Sequence, residues 1–231
     1  MRLLREFRYE QPDPQRFYTA LADDSVAQMA HYTELAGATM LDVGGGPGYF
    51  RSAFEQAGAR YVGLDADVGE MGGLARIEGG TVIGSGMQLP FRDDAFDVCY
   101  SSNVLEHVDR PWTMAEEMVR VTRPGGLVFL SYTTWFGPWG GHETAPWHYL
   151  GGARARRRYR GRHGHEPKNR FGESLFAVTT GAGLRWARRQ QVADVVALMP
   201  RYNPWWSWWL LRVPGVREVV TWNLAVVLRK R

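Results

Sequence analysis

A chain of 231 residues, 45% apolar and 23% charged, is ordinary for a globular protein and long enough for one domain with a sizeable core. Its single cysteine, Cys99, excludes an internal disulfide framework and fits a reducing compartment, and the charge-broken opening Met1–Arg8 does not read as a signal peptide. No apolar run approaches the roughly 20 residues of a spanning helix, so a cytoplasmic chain of net charge +4 is expected.

Residues 13–36 predict a helix, with Asp13 as cap, Pro14 at its first position, apolar points at Phe17, Leu21, Met29 and Leu35, and a stop at Gly37. Residues 1–37 are thus expected as an N-terminal helical cap. A strand over 39–43, a helix over 47–58, a strand over 60–64, a short helix near 67–76 and a strand over 81–84 follow. A strand over 96–100 leads to a helix near 110–121 opened by Pro111, then to a turn at Arg123–Gly126 and a strand from Leu127 to Tyr132. Strands alternating with helices imply βαβ units, a parallel sheet and right-handed crossovers. After residue 134 the rhythm breaks. Residues 135–171 and 200–217 read as insertions on the substrate side, separated by a helix near 172–182 and a strand over 189–198; the last strand is expected over 219–229. The expected architecture is α/β, a Rossmann-like doubly wound sheet of seven strands with helices on both faces, in one domain spanning 1–231.

The ten residues Leu41–Phe50 carry the most chemical information. An apolar strand bearing Asp42 runs into glycines at 44, 45, 46 and 48, and a second strand ends in Asp65, twenty-one residues past Gly44. Such a pair reads as a nucleotide-like cofactor site, with glycines for close backbone approach and the later acid for ribose hydroxyls. A dinucleotide fingerprint needs Gly-x-Gly-x-x-Gly, yet Tyr49 occupies the position where a small residue is required, which disfavours a dinucleotide oxidoreductase. Asp42 would repel a pyrophosphate and attract the ammonium of a methionyl group.

With these residues the chain resembles the class I S-adenosylmethionine-dependent methyltransferases, in the branch that acts on small molecules and lipids. Further blocks carry the likeness in order: Leu89-Pro90-Phe91, Asp94–Val98, Ser101–Val108 and Arg123–Gly126. The resemblance implies S-adenosyl-L-methionine as cofactor, and a last strand inserted antiparallel beside the fifth. It implies that Asp42, Gly44, Gly45, Gly46 and Gly48 hold the methionyl part. Asp65 and Ala66 then take the ribose, and Ser85, Gly86 and Met87 lie against the adenine. Ser85 stands where most relatives carry Asp, so that contact lacks a charge. Ser102 and Asn103 fall where the family opens towards the transferring methyl group.

The donor is already activated, so alignment of nucleophile, methyl carbon and sulfur is the main task. Substrate-side candidates for a base are His142 and His148, with Glu143 between them, in the Gly140–His148 stretch; His107 is a third and reads mostly as structural. No metal is expected, since a His-Glu-x-x-His motif would need His where Pro146 stands.

Two stretches exceed what the family needs. Residues 151–170 hold eight basic residues against Glu166, a local +7 that leaves −3 for the rest of the chain. Trp205, Trp206, Trp208 and Trp209 cannot all face one core, because successive helical residues lie about 100° apart. Arg201 and Arg212 flank them, and arginine beside tryptophan is the composition of a bilayer interface. An anionic membrane surface met through Arg154–Arg162 and Trp205–Trp209 is therefore one expectation, with peripheral attachment at the inner face of the plasma membrane. A tryptophan lid over an apolar pocket is the other. The acceptor is expected to be a small or lipid-like molecule methylated on oxygen or carbon. An RNA methyltransferase is disfavoured because the two stretches do not interleave; a non-catalytic cofactor-binding member also remains open.

Overall fold

The computed structural model describes residues 14–66 and 80–231. Within them β1 (Thr39–Val43), β2 (Arg60–Asp65), β3 (Thr81–Ile83), β4 (Phe96–Ser102), β5 (Thr122–Thr133), β6 (Ala193–Pro200) and β7 (Asn223–Lys230) form one sheet in the order β3-β2-β1-β4-β5-β7-β6. The pairs from β3 through to β5 are parallel, and β7 lies antiparallel between β5 and β6. This is the Rossmann-like methyltransferase order that the resemblance implied.

Both faces of the sheet are covered, which is why its central strands are unbroken apolar runs. On one face Leu41, Cys99, Val128 and Leu130 meet Met114, Ala115 and Met118 of α3 (Pro111–Val121). On the other, Met40, Val98, Tyr100 and Phe129 meet Phe17, Leu21 and Met29 of α1 (Pro14–Ala30), together with Phe54 of α2 (Arg51–Gln56). Each such side chain contributes about 1.5–3 kcal/mol by leaving water. Cys99 is buried and its thiol is pushed up by that burial, as expected of an inert cysteine.

Several expected boundaries move, each for a local reason. The first helix ends at Ala30 rather than near 36, and the chain turns through Tyr32 and Thr33, whose amides both reach back to the Met29 carbonyl. The helix expected from 47 starts at Arg51, because Gly44, Gly46 and Gly48 all have positive φ and hold the chain in a loop. Residues 172–179 are not helical. Three amides (Glu173, Ser174 and Leu175) converge on the Arg170 carbonyl, and the helix α5 (Thr180–Arg188) begins only where the Thr179 hydroxyl accepts the Ala182 N–H at 3.2 Å. The next strand is displaced accordingly to Ala193–Pro200, and the last begins at Asn223 because Val216–Val220 forms a short helix, α6. The Arg123–Gly126 turn survives as a bulge: the β4–β5 register jumps from Phe96↔Thr122 to Val98↔Leu127. The arginine-rich stretch is a helix, α4 (Gly152–His163), closed by Gly164 in the left-handed conformation. The short helix expected near 67–76 lies outside the described residues, as does the beginning of the N-terminal cap.

Candidate functional site

At the carboxyl end of β1 the glycine loop is stitched to the end of β2. Gly44 and Gly45 donate their amides to the Leu64 carbonyl at 2.7 and 3.3 Å, and Gly46 donates to Asp65 Oδ2 at 2.9 Å. A Cβ on Gly46 or Gly48 would meet nothing within 4 Å, so the loop faces open space on that side. A Cβ on Gly45 would meet the Tyr61 hydroxyl at 2.9 Å and Asp42 Oδ2 at 3.0 Å, so glycine there lets the backbone lie directly on the carboxylate.

Asp42 is buried, and its Oδ2 accepts the Tyr61 hydroxyl at 2.5 Å. Burial pushes its carboxyl up to about 7; the Asp65 charge adds to the rise, while the Tyr61 hydrogen bond and Arg51 oppose it. The Tyr61 phenol is driven well above its ordinary value by burial and by Asp42. Asp42 is thus a carboxylate short of positive charge, and a cation brought to it would gain accordingly.

Along the sheet from that loop, Ser85 is exposed and its Oγ accepts the Met87 amide at 3.2 Å within a tight turn. Gly86 packs between Val43 and Met114, where a Cβ would sit 3.1 Å from each. Met87 leans on the core, and Ala66 is exposed just past β2. Across the sheet, Ser102 Oγ accepts from Arg201 Nη1 at 2.8 Å. Asn103, at φ +58°, is clamped: its Nδ2 reaches the Tyr202 hydroxyl at 3.4 Å and its Oδ1 accepts from Asn223 at 2.7 Å.

Arg201, expected as an interface arginine flanking the tryptophan stretch, is turned inward instead. Its side chain is fully enclosed, donating also to Ser131 Oγ at 3.1 Å and to Ser25 Oγ at 2.7 Å, with Asp24 Oδ2 at 3.8 Å. It ties α1, β4 and β5 together at the end of the sheet that bears the loop. A single arginine following an apolar strand has no period or motif to reveal such a tie.

The three candidate histidines separate. His107, in a 3-10 turn after β4, has Nδ1 2.7 Å from the Ser174 carbonyl; that oxygen only accepts, so Nδ1 carries a proton and the lone pair of the neutral ring is on Nε2. The His142 ring lies against it, centroids 5.1 Å apart and planes at 79°. Burial, then the neighbouring His107, holds the His142 imidazole down at about 4. His148 is buried between Trp135 and Tyr149 with Nε2 3.3 Å from the Gly137 carbonyl, a packing role inside the insertion. Glu143 accepts from Asn169 Nδ2 at 2.9 Å. The fold therefore pairs His107 with His142 and leaves His148 and Glu143 holding their own loop.

A family model described as a methyltransferase domain matches residues 41–130. Over its full length the chain is 54% identical to an uncharacterized methyltransferase of Mycobacterium marinum, covering 94% of that protein. It is 55% identical over 99% of its length to another from Mycolicibacterium gilvum, covering 93% of that one. The chain belongs to the class I S-adenosylmethionine-dependent methyltransferases. In fold it is similar to the crystal structure of an S-adenosylmethionine-dependent methyltransferase from Mesorhizobium loti, with TM-score 0.60 at 17% identity, covering 90% of this chain and 98% of that one.

The cofactor of this methyltransferase is S-adenosylmethionine. The loop suits it chemically: Gly46 and Gly48 leave their side open, Asp65 accepts the Gly46 amide, and the buried Asp42 lies against Gly45 with its charge only partly offset by Arg51. The packing side is less forgiving. Gly44 has φ +79°, and a Cβ there would lie 2.4 Å from Val104 Cγ2. Gly44→Ala is expected to cost the methyltransferase about 2–4 kcal/mol, from left-handed backbone strain and overpacking together. Equilibrium urea unfolding measures it, and a loss under about 0.5 kcal/mol, the ordinary surface range, would show that the loop yields instead.

Proposed function

We propose that this methyltransferase transfers the methyl group of S-adenosylmethionine to oxygen or carbon of a small, lipid-like acceptor at an anionic membrane surface. Asp42 and the Gly44–Gly48 loop hold the methionyl part, Asp65 and Ala66 the ribose, and Ser85, Gly86 and Met87 the adenine. Ser102 and Asn103 face the transferring methyl. His107 and His142 stand on the acceptor side, where the 135–171 and 200–217 segments enclose the pocket. The rate comes from in-line alignment and exclusion of water around a sulfonium that needs no further activation.

The observation that carries the membrane half of this reading is the exposure of Trp205, Trp206 and Trp209, at 79%, 62% and 56%. They stand on a 3-10 segment, Trp205–Arg212, anchored by buried Ser207 and Leu211. Large aromatics are rarely left in water without a purpose, and indole suits the headgroup region. Helix α4 adds charge. Arg156 is paired with Glu166 and Glu173, and Arg158 stacks on Trp147 at 3.9 Å. Arg154, Arg157 and Arg162 are exposed and have no acidic partner among the described residues. Each basic residue near an anionic surface is worth about 1 kcal/mol. No helix among the described residues is long and apolar enough to cross a membrane, so attachment would be peripheral.

Flotation tests the membrane half. The protein is expected to rise with phosphatidylglycerol vesicles and not with phosphatidylcholine vesicles, and Trp205, Trp206 and Trp209 changed together to Ser should abolish it. A wild-type protein that stays at the bottom with both removes the membrane surface and leaves the transferase. Labelled-methyl transfer into fractionated cell extract tests the acceptor: label is expected in the lipid fraction, and label in RNA would favour the nucleic-acid reading instead.

A further inference from the structure

Glu106, His107 and His142 bring one carboxylate oxygen and one nitrogen from each imidazole within 4.8 Å of one another. In sequence His142 is remote from the other two. A 3-10 turn, His142–Thr144, carries it back over the carboxyl ends of β4 and β5. Two atoms of the cluster's side chains are buried without a hydrogen-bond partner among the described residues, Glu106 Oε2 and His142 Nδ1. Buried polar atoms are rarely left so, and an unsatisfied one in a native fold calls for an occupant.

The surrounding bonds are those that prepare ligands. His107 donates Nδ1–H to the Ser174 carbonyl at 2.7 Å, which aims its Nε2 lone pair and fixes the tautomer. Glu106 Oε1 is held by the Thr133 amide at 2.9 Å, leaving Oε2 as its unused oxygen. His142 is kept at φ +47°, a rare backbone for a residue with a Cβ, by hydrogen bonds from its amide to the Trp139 carbonyl and from Ala145 to its own carbonyl. Oxygen-seeking magnesium or calcium would find only one carboxylate here. Two imidazoles with one carboxylate suit a first-row transition metal and leave coordination positions open.

We propose that Glu106, His107 and His142 bind one divalent transition-metal ion, of which zinc fits the donor set best. Zinc–nitrogen bonds of about 2.0–2.1 Å put ligand atoms roughly 3.4 Å apart, so the ligand atoms close in on one another by up to about 1.4 Å on binding. An ion with an open position would take an acceptor oxygen and lower its proton affinity. That chemical role rests on the proposed acceptor side; the metal site itself does not.

The test uses the full chain, stripped with chelator and then titrated with zinc chloride in a calorimeter, and separately loaded with cobalt(II) for its visible spectrum. One zinc per chain is expected, with an intense cobalt band typical of four or five ligands. Glu106→Gln and His142→Gln are each expected to weaken zinc on the order of 100-fold. The double variant His163→Gln with His165→Gln, at an exposed histidine pair on the surface, is expected to bind zinc as before. If Glu106→Gln misfolds by circular dichroism, His142→Gln decides. A folded wild-type chain that takes up no zinc overturns the site, as does binding lost only in the exposed-pair variant. Titration of S-adenosylhomocysteine into the same sample separates this outcome from a failure of the cofactor site.

Discussion

Asp42→Asn is expected to leave the protein more stable at pH 8 and to hold S-adenosylmethionine more weakly. The carboxyl ionises near 3.8 in an unfolded chain and at about 7 in the fold. Between those values the folded protein keeps a proton that the unfolded chain has lost. The contribution of Asp42 to stability is therefore most favourable below about pH 4 and declines as pH rises towards 7, by about 4 kcal/mol, since each tenfold difference in proton affinity is worth about 1.4 kcal/mol. Asparagine removes the charge that causes this decline, and its side-chain oxygen still accepts the Tyr61 hydroxyl. The gap in Tm between variant and wild type should accordingly be roughly two to three times wider at pH 8 than at pH 5. Cofactor binding moves the other way. A hydrogen bond to a charged group is worth about 1.5–3 kcal/mol against about 1 kcal/mol for a neutral one, so affinity should fall by roughly 3- to 30-fold. In the wild type, binding should strengthen with pH up to about 7, because the proton on Asp42 must leave before the cation arrives. A Tm gap that ignores pH, or a variant with wild-type affinity, contradicts this view of Asp42.

Arg201→Ala is expected to lose about 3–5 kcal/mol of stability, as when a buried charge network loses its centre. Relief from burying a cation favours the variant. Against it stand the cavity and three hydroxyls, of Ser25, Ser102 and Ser131, that lose their shared donor. Packing of the guanidinium near the Phe129 ring, at 5.4 Å, is lost too. The second set is larger because those groups lie on three different elements and cannot collapse towards each other. Because Ser102 ends β4 beside the clamped Asn103, turnover at saturating cofactor should fall more than cofactor affinity does. Urea unfolding measures the first effect and steady-state kinetics the second. A loss below about 1 kcal/mol, close to the range of an ordinary surface change, would mean that α1 docks without this tie.

What could be read in the sequence was what neighbouring residues encode. The strands from β1 to β5 announce themselves as apolar runs between turn residues. Asp42, the glycines and Asp65 lie at spacings fixed by one βαβ unit. The position of β7 came from family likeness, since nothing in its own residues distinguishes a parallel neighbour from an antiparallel one. Features built by distant residues stayed hidden. Arg201 meets Ser25 across 176 positions, and His142 meets Glu106 only because a short turn folds the insertion back. Helix α4 lacks an apolar stripe and buries little besides Gly152, against Phe171, and Ala155, so composition showed its charge and not its shape. The start of α5 hung on one threonine cap that a window of hydrophobicity cannot register.

The cofactor cradle is tested most directly by calorimetric titration of the folded chain with S-adenosylmethionine and its demethylated product at pH 8, repeated at pH 6. One molecule of each should bind per chain, S-adenosylmethionine more weakly at the lower pH as Asp42 takes up its proton. A chain that is folded by circular dichroism yet gives no heat with either compound would contradict it.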